Sequence, residues 1–202
     1  MNQQEKILLN FYNTEIINYP NPEFSWMNGR SYSEKFVICV GAGPWKFGRR
    51  KKIQGDVLAK LNGRDLTHPN IHVNNYECKW YPLTWQNLFV ECMKYYLLAN
   101  KITMDQYCEK IIETNDRHHV YKNTSDSGKY TKVISLFCRD GLGIDAFPID
   151  RHVKRKLEEL NLPANEDKLI DMCRALNLKP AKVATLFVRT ASEMDNPDWS
   201  IK

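Results

Sequence analysis

The sequence contains no apolar run long enough to cross a bilayer, and we expect no N-terminal signal peptide. It also contains no C-x-x-C pair, and its six cysteines are scattered widely along the chain. We interpret these cysteines as reduced and buried, as is usual in a reducing compartment. We therefore expect a soluble intracellular protein with no membrane partner, in the cytoplasm or nucleoid, or in the nucleus if its source is eukaryotic.

Internal repeats and low-complexity linkers are also absent, so the 202 residues are expected to form one domain or two closely packed lobes. The hydrophobic fraction of 43% and the aromatic fraction of 11% are those of an ordinary globular protein. The 29 lysines and arginines exceed the 24 aspartates and glutamates, which gives a net charge of +5. This balance favours an anionic partner but does not identify one.

Helical periodicity dominates the pattern, so we predict a mainly α fold. A first amphipathic helix is expected at 4–17. Later helices are expected to start near Thr84, after a capping box formed by Thr103 and Gln106, after Asn165 and at Pro180. Two further helices are expected to span 132–139 and 151–160. The segments 19–32 and 62–81 are expected to be irregular, and the apolar run 36–40 is too short to assign to a helix or a strand.

The most informative stretch of the chain joins a tight turn to a lysine and then to an aspartate. Gly128 lies in the turn, which leads into a helix expected to start near Lys132. An apolar run then ends at Asp150, which lies 18 residues after Lys132 and directly before a basic helix. The two segments read Asp126-Ser127-Gly128-Lys129-Tyr130-Thr131-Lys132 and Ala146-Phe147-Pro148-Ile149-Asp150-Arg151-His152-Val153.

These segments resemble the core of the helix-hairpin-helix DNA glycosylases, the superfamily of endonuclease III and the 8-oxoguanine glycosylases. The resemblance covers about residues 85–190, and its specific part is confined to 126–157. It implies a mainly α fold of two lobes with the active site in the cleft between them. We accordingly expect an N-terminal region at 1–83 that packs with the C-terminal lobe, a helical lobe with the hairpin at 84–150, and a C-terminal helical lobe at 151–202.

The resemblance implies that Lys132 is the nucleophile and Asp150 the essential carboxylate. A lysine attacks C1′ of the damaged nucleotide if its amine is partly neutral, and a carboxylate near C1′ stabilises the positive charge that develops on the sugar. The resulting Schiff base allows β-elimination, which nicks the strand. Lys129 is the rival nucleophile, and a lysine and an aspartate at this spacing could also be two unrelated surface charges.

The hairpin of such a glycosylase also grips DNA, because backbone N–H groups at a turn before a helix form an anion site. Gly128 is retained, whereas Tyr130 replaces the second hairpin glycine of the family. The expected DNA-binding residues are Gly128, Lys129, Tyr130, Thr131, Arg151 and His152. The basic run that continues through Lys154, Arg155 and Lys156 is either a solvated helix face or a set of phosphate contacts.

The residues around Asp150 look closer to the small archaeal-type 8-oxoguanine glycosylases than to endonuclease III. Those small enzymes lack the four-cysteine iron–sulfur cluster and end in a lysine whose carboxylate contacts the damaged guanine. The resemblance therefore implies removal of 8-oxoguanine, with Trp199, Lys202 and Phe147 as candidates for the base pocket; Trp45 and Trp85 are further aromatic candidates. It implies damaged double-stranded DNA as the partner of a monomeric enzyme. No redox cofactor or catalytic metal is implied, although hairpin carbonyls could hold a monovalent cation.

Several alternatives remain open at this stage. The protein could be a monofunctional glycosylase for another damaged base, with Lys132 only a phosphate contact, or a catalytically silent nucleic-acid-binding helical module. Gly41 and Gly43 lie in a weak dinucleotide-binding pattern that lacks its later glycine and acidic residue. The basic run at 49–52 could meet a DNA backbone or be a solvated loop. His118, His119 and Cys108 fit no standard metal spacing.

Overall fold

The structure of the protein is a computed structural model, and it describes residues 1–20, 27–41, 55–56, 58–71, 84–124 and 132–191. The prediction of a mainly α fold is confirmed, and the described residues contain no strand. The helices of this part of the chain include α1 (Gln3–Asn18), α2 (Tyr32–Val40), α3 (Thr84–Asn100), α4 (Met104–Thr114), α5 (Arg117–Thr124), α6 (Lys132–Leu136), α7 (Arg151–Glu159), α8 (Glu166–Ala175) and α9 (Pro180–Ala191). None of the described helices is both long enough and apolar enough to span a membrane.

Side-chain caps explain where several of these helices begin. Thr103 forms the predicted capping box before α4: its hydroxyl accepts from the Gln106 N–H at 3.2 Å, and the Gln106 side chain accepts from the Thr103 N–H at 2.9 Å. Asn165 caps α8 by accepting from the Lys168 N–H at 3.0 Å. Each cap accepts a hydrogen bond from a backbone N–H group in the first turn, which has no carbonyl partner within the helix. The polar residue therefore fixes the helix start.

The apolar run 36–40 belongs to α2. All five of its side chains are fully buried, so this part of the helix has no polar face and the run shows no helical period. Ser31 begins the helix with a second capping box, in which its hydroxyl accepts from the Glu34 N–H at 3.3 Å. The segment expected to be irregular at 19–32 is irregular at 27–31, but Tyr32 already belongs to α2. Residues 21–26 of this segment lie outside the described residues.

The helix predicted at 132–139 changes character after its first turn. The α-helical part is Lys132–Leu136, and the residues Phe137–Gly141 form a π-helical turn. Gly141 permits this turn, because a Cβ atom there would lie 2.5 Å from Cδ2 of the buried Phe137 ring. The chain then leaves the turn through Gly143, whose φ of +71° lies in the left-handed region that favours glycine.

The chain forms two compact units whose boundaries differ from the expected division at 1–83, 84–150 and 151–202. The first unit combines Met1–Trp26 with Asp145–Lys202, and the second is Met27–Ile144. In the first unit α1 packs on α9, with the rings of Phe11 and Phe187 stacked 4.1 Å apart. This apolar contact joins the N-terminal helix to the C-terminal helices.

The second unit is built around the buried helix α2, which contacts α3, α4, α6 and the π-helical turn. In this unit the Asp65 carboxylate links its own turn to the start of α4. Its Oδ2 accepts from the Met104 N–H at 3.0 Å, and its Oδ1 accepts from the Thr67 N–H at 2.9 Å. The Lys94 ammonium donates to the carbonyls of His68 and Ile71, and burial lowers the pKa of this lysine. The segment expected to be irregular at 62–81 is described only to residue 71, where it forms turns.

The five cysteines in the described residues are not joined in disulfides. Cys39, Cys108, Cys138 and Cys173 are buried as predicted, and Cys92 is half-buried. Burial raises the pKa of the Cys173 thiol to about 12, with the neighbouring Asp145 carboxylate acting in the same direction. Cys78 lies outside the described residues.

Candidate functional site

The two residues predicted to carry the chemistry fall in different units. Lys132 is the first residue of α6 in the second unit, and Asp150 precedes α7 in the first unit. Several other predicted site residues lie outside the described part of the chain, as does the hairpin expected to hold a cation. These residues are Gly128, Lys129, Tyr130, Thr131, Trp199 and Lys202.

Asp150 is the N-cap of α7. Its backbone is extended, with φ −98° and ψ −178°, and its Oδ1 accepts from the His152 N–H and the Val153 N–H at 2.9 Å each. The carboxylate thus lies at the positive end of the helix dipole, where a negative charge is favoured. This capping holds the carboxylate in one orientation while the residue stays partly exposed.

The segment before Asp150 is anchored in the core of the first unit. Phe147 is fully buried, and its ring centroid lies 5.6 Å from that of Phe187. Phe147 was predicted as a base-pocket residue, but a fully buried ring packed on α9 gives that role no support. Its position instead restrains the backbone that leads to the cap.

Arg151 and His152, both predicted to bind DNA, begin α7 next to the cap. Arg151 is exposed, and its Nε donates to His152 Nε2 at 3.2 Å. His152 is half-buried, and its backbone N–H is held by Asp150. The Arg151 side chain is thus exposed at the start of α7, where it is able to contact a phosphate.

The basic run of α7 is partly balanced by glutamates one turn later. Lys154 pairs with Glu158 and Arg155 with Glu159, each at 3.8 Å, and all four side chains are more than half exposed. Exposed pairs of this kind contribute little to stability, because water screens them. The helix sequence Arg151–Glu159 keeps four basic residues against two acidic ones, so a basic surface remains.

Lys132 is anchored by the residues that follow it. Val133, Ile134 and Ser135 are buried directly after the half-buried lysine, and α6 contacts α2, α5 and the π-helical turn. A helix of five residues is too short to be stable alone, so this packing and not helix propensity holds the backbone of Lys132.

The sequence reasoning missed a buried ion pair in the π-helical turn. Arg139 Nε lies 2.6 Å from Asp140 Oδ1, and Arg139 Nη2 lies 3.2 Å from Asp140 Oδ2. The side chains are only 3% and 5% exposed, so both charges have lost most of their contact with water. Their mutual attraction and hydrogen bonds compensate for this loss. A charged pair adjacent in sequence is usually read as solvated, and no pattern in the sequence indicates its burial.

The metal alternative at His118, His119 and Cys108 gains no support. His119 Nε2 is 3.1 Å from the Tyr96 hydroxyl, and burial raises the pKa of the Cys108 thiol. Among the described residues, no group of three His, Cys, Asp or Glu side chains could hold a metal ion. The Gly41 pattern and the basic run at 49–52 lie largely or wholly outside the described residues.

The described residues thus place a carboxylate at a helix N-terminus in the first unit and a lysine on a packed short helix in the second. An oriented carboxylate can stabilise positive charge, and a lysine amine can form an imine with an aldehyde carbon.

Comparison of the chain with protein-family models, with curated proteins and with solved structures finds no match.

Proposed function

We propose that the protein is a helix-hairpin-helix DNA glycosylase with AP lyase activity that removes an oxidised purine, with 8-oxoguanine as the expected lesion. One observation carries the proposal: the carboxylate of Asp150, fixed as the cap of α7, lies 18 residues after a lysine that begins a packed helix. The capped carboxylate supports the role assigned to Asp150, because electrostatic catalysis requires an oriented charge.

The division of the chain supports the two-lobed architecture within this proposal. The N-terminal helix α1 and the C-terminal helices form one unit, and the helices between them form the other. Lys132 belongs to one of these units and Asp150 to the other. The net charge of +5 and the exposed Arg151 support a DNA partner.

In the proposed reaction the Lys132 amine attacks C1′ of a nucleotide that has left the duplex. The bond from C1′ to the base breaks, its electron pair leaves with the base, and the base takes up a proton. The attacking nitrogen loses a proton, the sugar ring opens, and an imine joins lysine to DNA. Loss of a proton from C2′ then expels the 3′ phosphate, and hydrolysis of the imine releases Lys132. Asp150 stabilises the positive charge that develops on the sugar.

Borohydride trapping tests this proposal directly, because reduction converts a lysine–DNA imine into a stable covalent adduct. Duplexes with 8-oxoguanine or an abasic site would be incubated with the wild-type protein and with Lys132→Gln, Lys129→Gln and Lys110→Gln. We expect an adduct with the wild type and its loss in Lys132→Gln. Lys110 is an exposed lysine of α4 in the same unit as Lys132, so Lys110→Gln should form the adduct as the wild type does.

The outcomes separate the alternatives. An adduct that survives Lys132→Gln but is lost in Lys129→Gln would move the nucleophile to Lys129. Release of a damaged base by the wild type without any adduct would indicate a monofunctional glycosylase. Binding without base release or adduct would indicate a catalytically silent nucleic-acid-binding module, which the basic surface of α7 would also suit.

A further inference from the structure

The segment 145–149 that leads to Asp150 is attached to α8 at two points. Arg174 donates to Asp145 Oδ2 through Nε at 3.0 Å and through Nη2 at 2.8 Å. The Phe147 N–H donates to Glu166 Oε1 at 2.7 Å. Glu166 is the first residue of α8 and Arg174 lies near its end, so the segment runs along α8 in the opposite direction.

The two attachments differ in burial and therefore in their effect. The side chains of Arg174 and Asp145 are 49% and 25% exposed, and water weakens such a pair. Glu166 is only 7% exposed, although it is a charged side chain. A carboxylate is buried at a cost unless it accepts hydrogen bonds, so the short bond from Phe147 offsets part of the cost of burying Glu166.

The attachment at Phe147 reaches Asp150 through a stiff link of three residues. The Phe147 ring is packed against Phe187, and Pro148 is a buried residue whose ring fixes its own φ angle. Ile149 packs against the same core, and Asp150 follows as the cap of α7. Little backbone freedom therefore separates the Glu166 carboxylate from the Asp150 carboxylate.

We propose that Glu166 is a positioning residue for Asp150: its buried carboxylate fixes the Phe147 backbone and thereby the orientation in which Asp150 meets the reacting sugar. This inference rests on the proposed glycosylase function for its catalytic consequence. Its structural part, that Glu166 maintains the cap formed by Asp150, belongs to the first unit alone and can be measured without activity.

The test compares Glu166→Gln, Glu166→Ala and Glu166→Asp with the wild type. Glutamine keeps an oxygen at the position of Oε1, alanine removes it, and aspartate keeps the charge but is one methylene too short to reach the Phe147 N–H. Asp171→Ala, at an exposed acidic residue of the same helix, is the matched control. Two readouts are taken below the melting temperature of every variant: amide hydrogen exchange at His152 and Val153, and the single-turnover rate of adduct formation on abasic DNA beside the Kd for that DNA.

We expect exchange at His152 and Val153 to be about tenfold faster in Glu166→Ala and Glu166→Asp, because the capping bonds open more often. The rate of adduct formation should fall by about ten- to a hundredfold at nearly unchanged Kd, because misplacing a catalytic group affects the chemical step. Glu166→Gln and Asp171→Ala should behave as the wild type in both measurements.

The two readouts distinguish failure of this inference from failure of the proposed function. Wild-type exchange at His152 and Val153 in both Glu166→Ala and Glu166→Asp would overturn the inference, whatever the activity. Faster exchange in a protein that forms no adduct would overturn the lyase proposal and leave Glu166 as the residue that maintains the cap. If Glu166→Ala does not fold, the comparison of Glu166→Asp with Glu166→Gln decides the question alone.

Discussion

Asp150 combines a structural role with a proposed chemical one. Its Oδ1 holds the His152 and Val153 N–H groups, so the carboxylate that would stabilise the reacting sugar also starts α7. A substitution that removes the whole side chain would disturb both roles. A substitution that keeps an oxygen but removes the charge separates them.

Asp150→Asn and Asp150→Ala should therefore differ in stability but not in activity. We expect Asp150→Ala to lower the free energy of unfolding by about 1 kcal/mol, whereas Asp150→Asn keeps a capping oxygen and changes it by a few tenths at most. Both should lose base excision, because both lack the negative charge. Chemical denaturation and base release measure the two effects; an active Asp150→Asn would contradict the electrostatic role.

The ionisation of Cys173 links pH to stability. Its thiol pKa rises from 9.0 to about 12 in the folded protein, because the side chain is buried. Between these values the unfolded chain loses the proton and the folded protein keeps it. The contribution of the thiol to stability is therefore complete below pH 9 and is lost as the pH rises towards 12.

We expect the free energy of unfolding to fall above pH 9, with Cys173 contributing a slope of about 1.4 kcal/mol per pH unit. Cys173→Ala removes this ionisation, so its slope should be shallower by about that amount. Denaturation curves collected between pH 8 and pH 10.5 measure both slopes. Equal slopes in the two proteins would show that the Cys173 pKa is not raised.

At the scale of elements, helix starts are more predictable than helix interruptions. The capping box at Thr103 and the cap at Asn165 are local patterns of a few residues, and the structure confirms both. The π-helical turn Phe137–Gly141 has no such local pattern. It depends on a glycine that makes room for the Phe137 ring and on the buried pairing of Arg139 with Asp140.

Gly141→Ala should destabilise the protein by about 1–3 kcal/mol, because the new Cβ would lie 2.5 Å from Cδ2 of the buried Phe137 ring. A double-mutant cycle with Phe137→Leu tests the cause. Leucine lacks the rigid ring and its Cε2 atom, and its δ methyl groups rotate away from residue 141, so Gly141→Ala should cost less in the Phe137→Leu protein than in the wild type. An equal cost in both would place the strain elsewhere in the turn.

At the scale of the whole molecule, helices that are neighbours in sequence do not always belong to the same unit. The N-terminal helix α1 joins the unit of α7, α8 and α9, and the residues 27–144 form the other unit. The apolar face of α1 was predicted from its period, and Leu8 and Phe11 are buried. The partner of that face lies more than 170 residues later, at Phe187, and no local pattern identifies it.

Phe11→Ala should lower the free energy of unfolding of the first unit by about 3–5 kcal/mol, because it removes a buried ring stacked on Phe187. Amide hydrogen exchange along α9 is the measurement, and faster exchange is expected there. Ile17→Ala is the control, since Ile17 is 79% exposed on the same helix and should change stability by less than about 0.5 kcal/mol. Unchanged exchange along α9 would contradict the packing of α1 on that helix.

The pair of Lys132 and Asp150 is a prediction that the family resemblance implies. The sequence by itself determined the mainly α character, most helix starts and the burial of four cysteines. These features depend on short-range periodicity, caps and spacing, which are properties of neighbouring residues. Only the tertiary structure decided that α1 belongs with the C-terminal helices, that 36–40 is helical, that Phe147 is a core residue and that Glu166 holds the segment before Asp150. These features depend on contacts between residues distant in sequence, whose free energy arises from burial and from hydrogen bonds that only the folded chain can form.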